Sequence, residues 1–291
     1  MNQTENIDFP LFHRGKVRDV YDLEQQLLIV ASDRVSAFDH VLPTEIPDKG
    51  KILHALSLFW FDYVQGIVPN HLITGDFDKF PTRLKKSAFL AGRSMLVKKA
   101  RRIDIECIVR GYLAGSGWKE YRQNGTICGL ALPAGLLESS KLPEPVFTPS
   151  SKEEGGKHDE NISFEEAKRR VGEELAVTLR DISIKVYAKA SAYAETMGII
   201  LADTKFEFGL IDDKVILIDE ILTPDSSRFW DKEKYEEGRS QDSLDKQYVR
   251  DYLESIKWNK QPPVPELPRE VVEKTREKYY EAYRKITGKE L

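Results

Sequence analysis

The chain has 291 residues, of which 41% are apolar, 10% aromatic and 32% charged, a composition that agrees with a globular protein of one large or two ordinary domains. Its 44 basic residues are outnumbered by 48 acidic ones, giving a formal charge of −4 without a long basic block, which argues against a general nucleic-acid binder. No apolar run approaches the roughly 20 residues that span a bilayer, and the first residues, MNQTENIDFPLFHRGKVRDVY, lack a signal-peptide core.

Cys107 and Cys128 show no CxxC spacing, so neither a disulfide framework nor a zinc site is indicated. Both read as buried structural thiols in a reducing, cytoplasmic setting.

The first strand-like run, 27–31, follows the segment His13-Arg14-Gly15-Lys16-Val17-Arg18-Asp19. Gly15 suits a turn between strands and permits close backbone approach. Lys16 and Arg18 alternate on one face and could draw phosphates, although an exposed basic turn is the plainer reading, since the Walker A spacing is absent. Arg34 and Ser36 then lie in ASDRVSAFDH, a loop dense in hydroxyls and charges at the end of an apolar run. Such loops often carry function, and local capping is the alternative.

Residues 52–64 repeat apolar side chains at helical spacing and predict a core helix. Residues 94–100, which include Lys98, read as a strand, and 103–109, which include Glu106, as a second. The domain boundary is placed at this second strand, giving lobes 1–108 and 109–291, partly because small nucleotides prefer sites between lobes. Arg110-Gly111-Tyr112-Leu113-Ala114-Gly115-Ser116-Gly117 follows. Free amides beside Ser116 and Arg110 could hold an anion, and a tight glycine turn into a helix at 118–123 explains the stretch equally well.

Residues 147–163, with Lys152, His158 and Asp159, are polar and without periodicity, which in a segment this long marks function or disorder. Ser163 and Glu166 make a capping box that opens a helical region to residue 197, closed by Gly198 and split at Gly172. Helices at 244–256 and 268–286 are expected to be structural.

Residues 201–230, LADTKFEFGLIDDKVILIDEILTPDSSRFW, predict a β-hairpin with a chemical face. Asp203, Lys205 and Glu207 fall at every second position and share a face, opposite Phe206 and Phe208. A two-residue turn at Asp212-Asp213 would put Glu207 and Asp219 on opposite faces. A three-residue loop through Lys214 is the expected register, because it opposes the two carboxylates, with Cβ atoms roughly 4.5–5.5 Å apart. Such a pair needs a cation between them, and Mg²⁺ suits carboxylate oxygens and bridges to phosphates. A solvated charged face is the alternative. Arg228 closes the segment in a turn.

GKVRDVYD, ASDRVSAFD, ECIVRGYLAGSGWKEY, FTPSSKEEGGKHDENIS, LADTKFEFG and DEILTPDSSRFW occur in this order. Together they resemble the phosphoribosylaminoimidazole-succinocarboxamide synthases, or SAICAR synthetases, over about residues 12–258. Asp104 stands where that family commonly has proline, which bears on how the strand begins and not on the chemistry. The long loop after FTPSS is more like the larger, eukaryote-like members.

The resemblance implies an α+β, two-lobed fold of antiparallel sheets with flanking helices and an ATP cleft between the lobes, residues 1–108 binding ATP and 109–291 substrate and metal. It implies an ATP-dependent ligase joining L-aspartate to the carboxylate of 5-amino-1-(5-phosphoribosyl)imidazole-4-carboxylate (CAIR) through an acyl phosphate, with ATP and Mg²⁺ as cofactors and no nucleic-acid or membrane partner. By the family pattern, Glu207 and Asp219 would hold Mg²⁺, and Gly15, Lys16, Arg18 and Lys98 would cover the ATP phosphates, with Glu106 edging the adenine. Arg110, Ser116 and Arg228 look like the ribonucleotide phosphate site, and Asp203 and Lys205 like the catalytic contacts to the imidazole and its carboxylate. Arg34, Ser36, Lys152, His158 and Asp159 are candidates for the aspartate and nucleotide loops. A small-molecule kinase and a nucleotide-binding protein without turnover are the rival readings.

Overall fold

Short apolar runs bounded by turn residues build most of the strands. In the computed structural model, which describes residues 7–152 and 160–291, β1 (Leu11–Arg14), β2 (Arg18–Asp22) and β3 (Gln26–Ala31) form a meander. A small hairpin of β4 (Ser36–Ala37) and β5 (His40–Val41) leads into helix α1 (Lys49–Val64). Strands β6 (Leu72–Thr74) and β7 (Ser94–Lys98) then return to the meander, and the first sheet has the order β1-β2-β3-β7-β6.

Strands β8 (Arg101–Arg102) and β9 (Ile105–Tyr112) open the second sheet. Helix α2 (Gly115–Asn124), a hairpin of β10 (Thr126–Ile127) and β11 (Leu130–Ala131), and strands β12 (Lys141–Phe147) and β13 (Ser150–Ser151) follow. After helices α3 (Phe164–Val171) and α4 (Glu173–Thr196) come β14 (Ile199–Ile211), β15 (Lys214–Ile218) and β16 (Ser227–Asp231), and the chain finishes with helices α5 (Gln247–Ser255) and α6 (Arg269–Thr287). The spine of this antiparallel sheet is β12-β9-β14-β15, with β8 and β16 also paired to β14 and β13 to β9.

One hydrophobic core crosses both sheets, joining Ile29 and Val97 of the first to Val109, Phe206 and Phe208 of the second, with Trp60 of α1 and Tyr279 of α6. Strand β9 runs unbroken through residue 108. The chain therefore changes sheets at 99–100, ahead of the expected division, and the lobes share a core. The cap expected at Ser163 forms, its hydroxyl accepting from the Glu166 N–H at 3.1 Å, and Gly172, at φ 89°, separates α3 from α4. Among the described residues no helix is long and apolar enough to cross a membrane.

The register expected for the β14–β15 hairpin is not the one formed. Ile211 pairs with Lys214 and Glu207 with Ile218, so the turn is the two-residue one at Asp212-Asp213. Both turn residues are left-handed, at φ 48° and 57°, as a type I′ turn requires; its twist matches that of the strands it joins, and aspartate tolerates the conformation. The faces follow from this register. Leu217 enters the core with Phe206 and Phe208, whereas Ile218 lines the cleft with Glu207.

Alternation alone would turn Asp219 away from Glu207. The strand ends at Ile218, and Asp219 itself is left-handed, at φ 63°, so the backbone reverses and the carboxylate returns to the cleft. An L-residue held there costs roughly 1–2 kcal/mol, and surrounding contacts must fix it.

If both turn positions are left-handed, Asp213→Gly should stabilise the protein by about 0.5–1 kcal/mol, since glycine carries no Cβ penalty at positive φ. Equilibrium denaturant unfolding reads this directly, and a shift of the midpoint to lower denaturant would contradict the turn.

Candidate active site

A cleft of about 780 Å³ is lined from both sheets. Val20, Leu27, Ile29 and Val97 of the first sheet give it an apolar wall, and β14 faces them with Asp203, Lys205 and Glu207. These three share the cleft face because Phe206 and Phe208, both fully buried, take the other side of the strand.

Glu207 and Asp219 meet here with basic partners. Lys152 bonds Glu207, and Lys205 sits 3.6 Å from it. Arg18 reaches Asp219 Oδ2 and Glu220 Oε1, each at 2.6 Å. Burial works against ionised Glu207, but Lys205 and Lys152 outweigh it and hold the carboxyl down at about 2. Asp219 goes the other way: burial, together with the charges of Glu207 and Glu220, pushes it up to about 6 despite Arg18.

This donor set fits a divalent cation. Both side chains offer only oxygen, and Mg²⁺ takes one or two carboxylates and completes its shell with waters and phosphate oxygens. Among the described residues no group of three or more His, Cys, Asp and Glu side chains is placed to hold a metal ion by itself. Behind Asp219, buried His71 places Nε2 3.2 Å from the Asp219 carbonyl oxygen, and burial pushes its imidazole down to about 4, so it is neutral.

Lys205 is held above the ordinary lysine range. Burial opposes its charge, but Glu207 and Glu106 prevail. Glu106 bonds Lys205 and also accepts from Ser150 Oγ at 3.3 Å. Its carboxylate is thus engaged beneath Lys205, which the adenine-edge expectation did not foresee.

A second group gathers around Asp203. Its Oδ2 accepts from Arg110 NH1 at 2.9 Å and from Arg228 NH1, and Arg110 NH2 donates to Ser116 Oγ at 3.0 Å. The glycines of GYLAGSG have a steric reason here, since a Cβ on Gly115 would stand 2.1 Å from Arg228 NH2. Gly115 is also left-handed, at φ 55°. Arg228, Arg110 and Ser116 all line the cleft at the start of α2, where unpaired backbone N–H groups favour an anion.

Lys246 and Arg250 complete this pole, although their helix was expected to be structural. Asp245, buried, accepts from the N–H groups of Gln247 at 2.7 Å and Phe229 at 3.0 Å, which ties the start of α5 to β16. Lys246 and Arg250, four apart, then share a face. Burial brings Lys246 down to about 8, with Arg250 and Lys49 adding to the effect and Asp225 opposing it. The aspartate directly before a pair of cations at i and i+4 was the available signal. Beneath them, fully buried Lys49 of α1 pairs with Asp225 Oδ2 at 2.6 Å, and the Tyr279 hydroxyl of α6 donates to Asp225 Oδ1 at 2.7 Å. These bonds pin the turn that carries Ser226 and leads into Ser227 and Arg228 of β16.

Gly15, Lys16, Ser36 and Lys98 also line the cleft, with Lys16 bonded to Asp39. Arg34 bonds buried Asp19, at 2.7 and 3.2 Å, and the carbonyls of Gly15 and Lys16, so it braces the basic turn, and it is not among the residues that line the cleft. His158 and Asp159 lie outside the described residues.

The sequence profile of the SAICAR synthetase family matches residues 11–265. The phosphoribosylaminoimidazole-succinocarboxamide synthase of Thermodesulfovibrio yellowstonii is 61% identical over 279 residues, 96% of this chain and 95% of its own. That of Desulfatibacillum aliphaticivorans is 58% identical over 288 residues, 98% and 96% of the two chains. Among solved structures, the SAICAR synthase of Saccharomyces cerevisiae complexed with SAICAR superposes with a TM-score of 0.89 at 46% identity, covering 99% of this chain and 97% of that one. A SAICAR synthetase in complex with ADP has a TM-score of 0.71 at 25% identity, covering 96% and 98%.

The raised Asp219 carboxyl has a signed consequence. With a folded value of about 6 against roughly 3.9 unfolded, the folded state binds the extra proton, so stability falls as pH rises from about 4 to 6, and the full penalty remains above that window. Without divalent cations, Asp219→Asn should therefore be more stable than the parent at pH 7.5, on the order of 1–2 kcal/mol after allowance for partial exposure. The difference should close below pH 4. Thermal unfolding across pH checks it, and a less stable variant at pH 7.5 would refute the assignment.

Proposed function

The chain belongs to the SAICAR synthetase family, and on that premise we propose that its cleft is divided, with ATP and Mg²⁺ at the Glu207–Asp219 end and the acceptor ribonucleotide at the Arg110–Arg228 end. The family reaction is the ATP-dependent ligation of L-aspartate to CAIR, a carbon–nitrogen bond formation of purine biosynthesis that gives SAICAR, ADP and phosphate. The observation that carries the division is the pair of cationic poles in one cleft, Lys16, Arg18 and Lys98 at one and Arg110, Arg228, Lys246 and Arg250 at the other, with Lys205 between them.

A carboxylate is a poor acyl donor, and the arrangement answers that difficulty. The CAIR carboxylate oxygen takes the γ-phosphoryl group, and ADP leaves. The aspartate amine then attacks the acyl carbon; a C–N bond forms, the C–O bond to phosphate breaks, and the amine loses its proton. Every reactant is anionic, so the task is positioning and electrostatic stabilisation. Lys205, kept charged by Glu106 and Glu207, is assigned to the acceptor carboxylate where negative charge shifts during transfer. Asp203 fixes Arg110 and Arg228 for the ribonucleotide phosphate, which Ser116, Lys246 and Arg250 also serve, and it flanks the imidazole. The apolar wall takes the purine of ATP, and Lys16, Arg18 and Lys98 its phosphates.

Glu207 and Asp219 would hold Mg²⁺, which would supply neutralisation of phosphate charge. Ser36 and Lys152, with His158 and Asp159, are assigned to L-aspartate, while Arg34 acts by bracing the Gly15–Lys16 turn. In this reading the N-terminal lobe carries ATP, the larger lobe carries acceptor and metal, and the protein works in the cytoplasm without nucleic-acid or membrane partners.

Incubation with ATP, Mg²⁺, CAIR and L-aspartate should give an aspartate-dependent amide product with stoichiometric ADP. Phosphate release indifferent to aspartate would instead favour a kinase or ATPase. Glu207→Ala should lower kcat at least about a hundredfold, the scale of losing one electrostatic element of a transfer site. Arg228→Ala should raise the KM for CAIR about tenfold to a hundredfold with little change in the KM for ATP, as expected for a charge-assisted contact to phosphate. An unchanged KM for CAIR would remove Arg228 from that role.

A further inference from the structure

His71 stands at the seam between the sheets, in a stretch whose sequence reads only as loop. Its backbone N–H donates to the carbonyl of Leu217 in β15 at 3.0 Å, and its carbonyl accepts from the N–H of Lys98, the last residue of β7, at 2.8 Å. The ring reaches the carbonyl oxygen of Asp219 at 3.2 Å. A carbonyl oxygen only accepts, so Nε2 carries the hydrogen. The residue is 2% exposed and packs against Phe61, ring centroids 5.6 Å apart, which leaves the imidazole little freedom to turn away.

The acceptor is the carbonyl of the residue whose left-handed backbone returns its carboxylate to the cleft. Such a conformation persists where neighbouring contacts over-determine it, and the His71 bond closes on the peptide that leaves Asp219. We propose that His71 is a positioning residue for the Asp219 carboxylate. Its ring holds the reversal that aims the carboxylate, and its backbone bonds lock that reversal to Lys98. The phosphate-facing lysine of one sheet and the metal-facing aspartate of the other thereby keep a fixed relation.

This inference rests on the reading of Asp219 as a metal-holding residue, and the experiment separates the two. ADP affinity is measured by titration calorimetry with and without Mg²⁺ for the parent and for His71→Leu, His71→Gln and Asp219→Asn, alongside the Mg²⁺ concentration for half-maximal ligation. In His71→Leu the Mg²⁺-dependent gain in ADP affinity should fall roughly fivefold to tenfold, the scale of one lost hydrogen bond, while metal-free ADP affinity stays within about twofold. His71→Gln, whose amide N–H can reach the same carbonyl, should recover most of the gain. A merely structural role would lower both affinities together and show no such rescue.

Parental Mg²⁺ dependence in His71→Leu, with the dependence lost in Asp219→Asn, would overturn the positioning role alone. Parental dependence in Asp219→Asn would overturn the metal reading and this inference with it. Should His71→Leu fail to fold, His71→Asn, whose shorter amide stops short of the carbonyl, takes its place, and equal behaviour of the Asn and Gln variants would overturn the proposal.

Discussion

Alternation in β14 between Thr204 and Phe208, where buried and part-buried residues take turns, is the constraint on which the site depends. In a strand the side-chain period is two, so one buried face dictates the other, and a slip of one residue would exchange every side chain between core and cleft. Phe206 and Phe208 are fully buried against residues of both sheets, and each aromatic ring withdrawn from water is worth roughly 1.5–3 kcal/mol. That burial holds Lys205 and Glu207 toward the cleft. The aromatic pair thus does for the cleft face around Lys205 and Glu207 what a hydrogen bond does for a single side chain.

Charge is the second constraint. A cleft that must take three anionic reactants would be expected to be lined with cations alone, yet its walls carry Asp203, Glu106, Glu207, Asp219 and Glu220. Each carboxylate has a basic partner: Arg110 and Arg228 on Asp203, Lys205 on Glu106, Lys152 on Glu207, Arg18 on Asp219 and Glu220. Pairing restricts long, mobile basic side chains before substrate arrives, which lowers the ordering cost of binding. It also keeps partly buried cations charged where desolvation would otherwise favour their neutral form.

Much of this was legible in residue order, because alternation and capping are local. The basic turn around Lys16, the face shared by Asp203, Lys205 and Glu207, and the cap at Ser163 needed only the period of the chain. The hairpin register did not follow, because a two-residue and a three-residue turn fit the same letters and differ in backbone handedness at Asp212 and Asp213. Asp219 reached the expected place by an unexpected route, a left-handed reversal in place of opposition across the ladder. The pairing of Arg34 with Asp19 had no local signature because Asp19 lies across the meander, and Lys246 and Arg250 were passed over because a helix with aromatic and apolar positions reads as packing. His71 offered no pattern at all; its role comes from tertiary contact.

The buried bond from Tyr279 to Asp225, backed by Lys49, has a consequence for how the protein comes into being. The turn that leads into Ser227 and Arg228 of β16 is tied to a residue of α1 and to a residue of α6, so contacts that shape one end of the cleft span most of the chain. Domains emerging from the ribosome fold from the N-terminal side first, and here Lys49 finds its carboxylate partner only in Asp225, 176 residues further along the chain. The end of the cleft that holds Arg228 is therefore complete only when α1, the turn before β16 and α6 have come together.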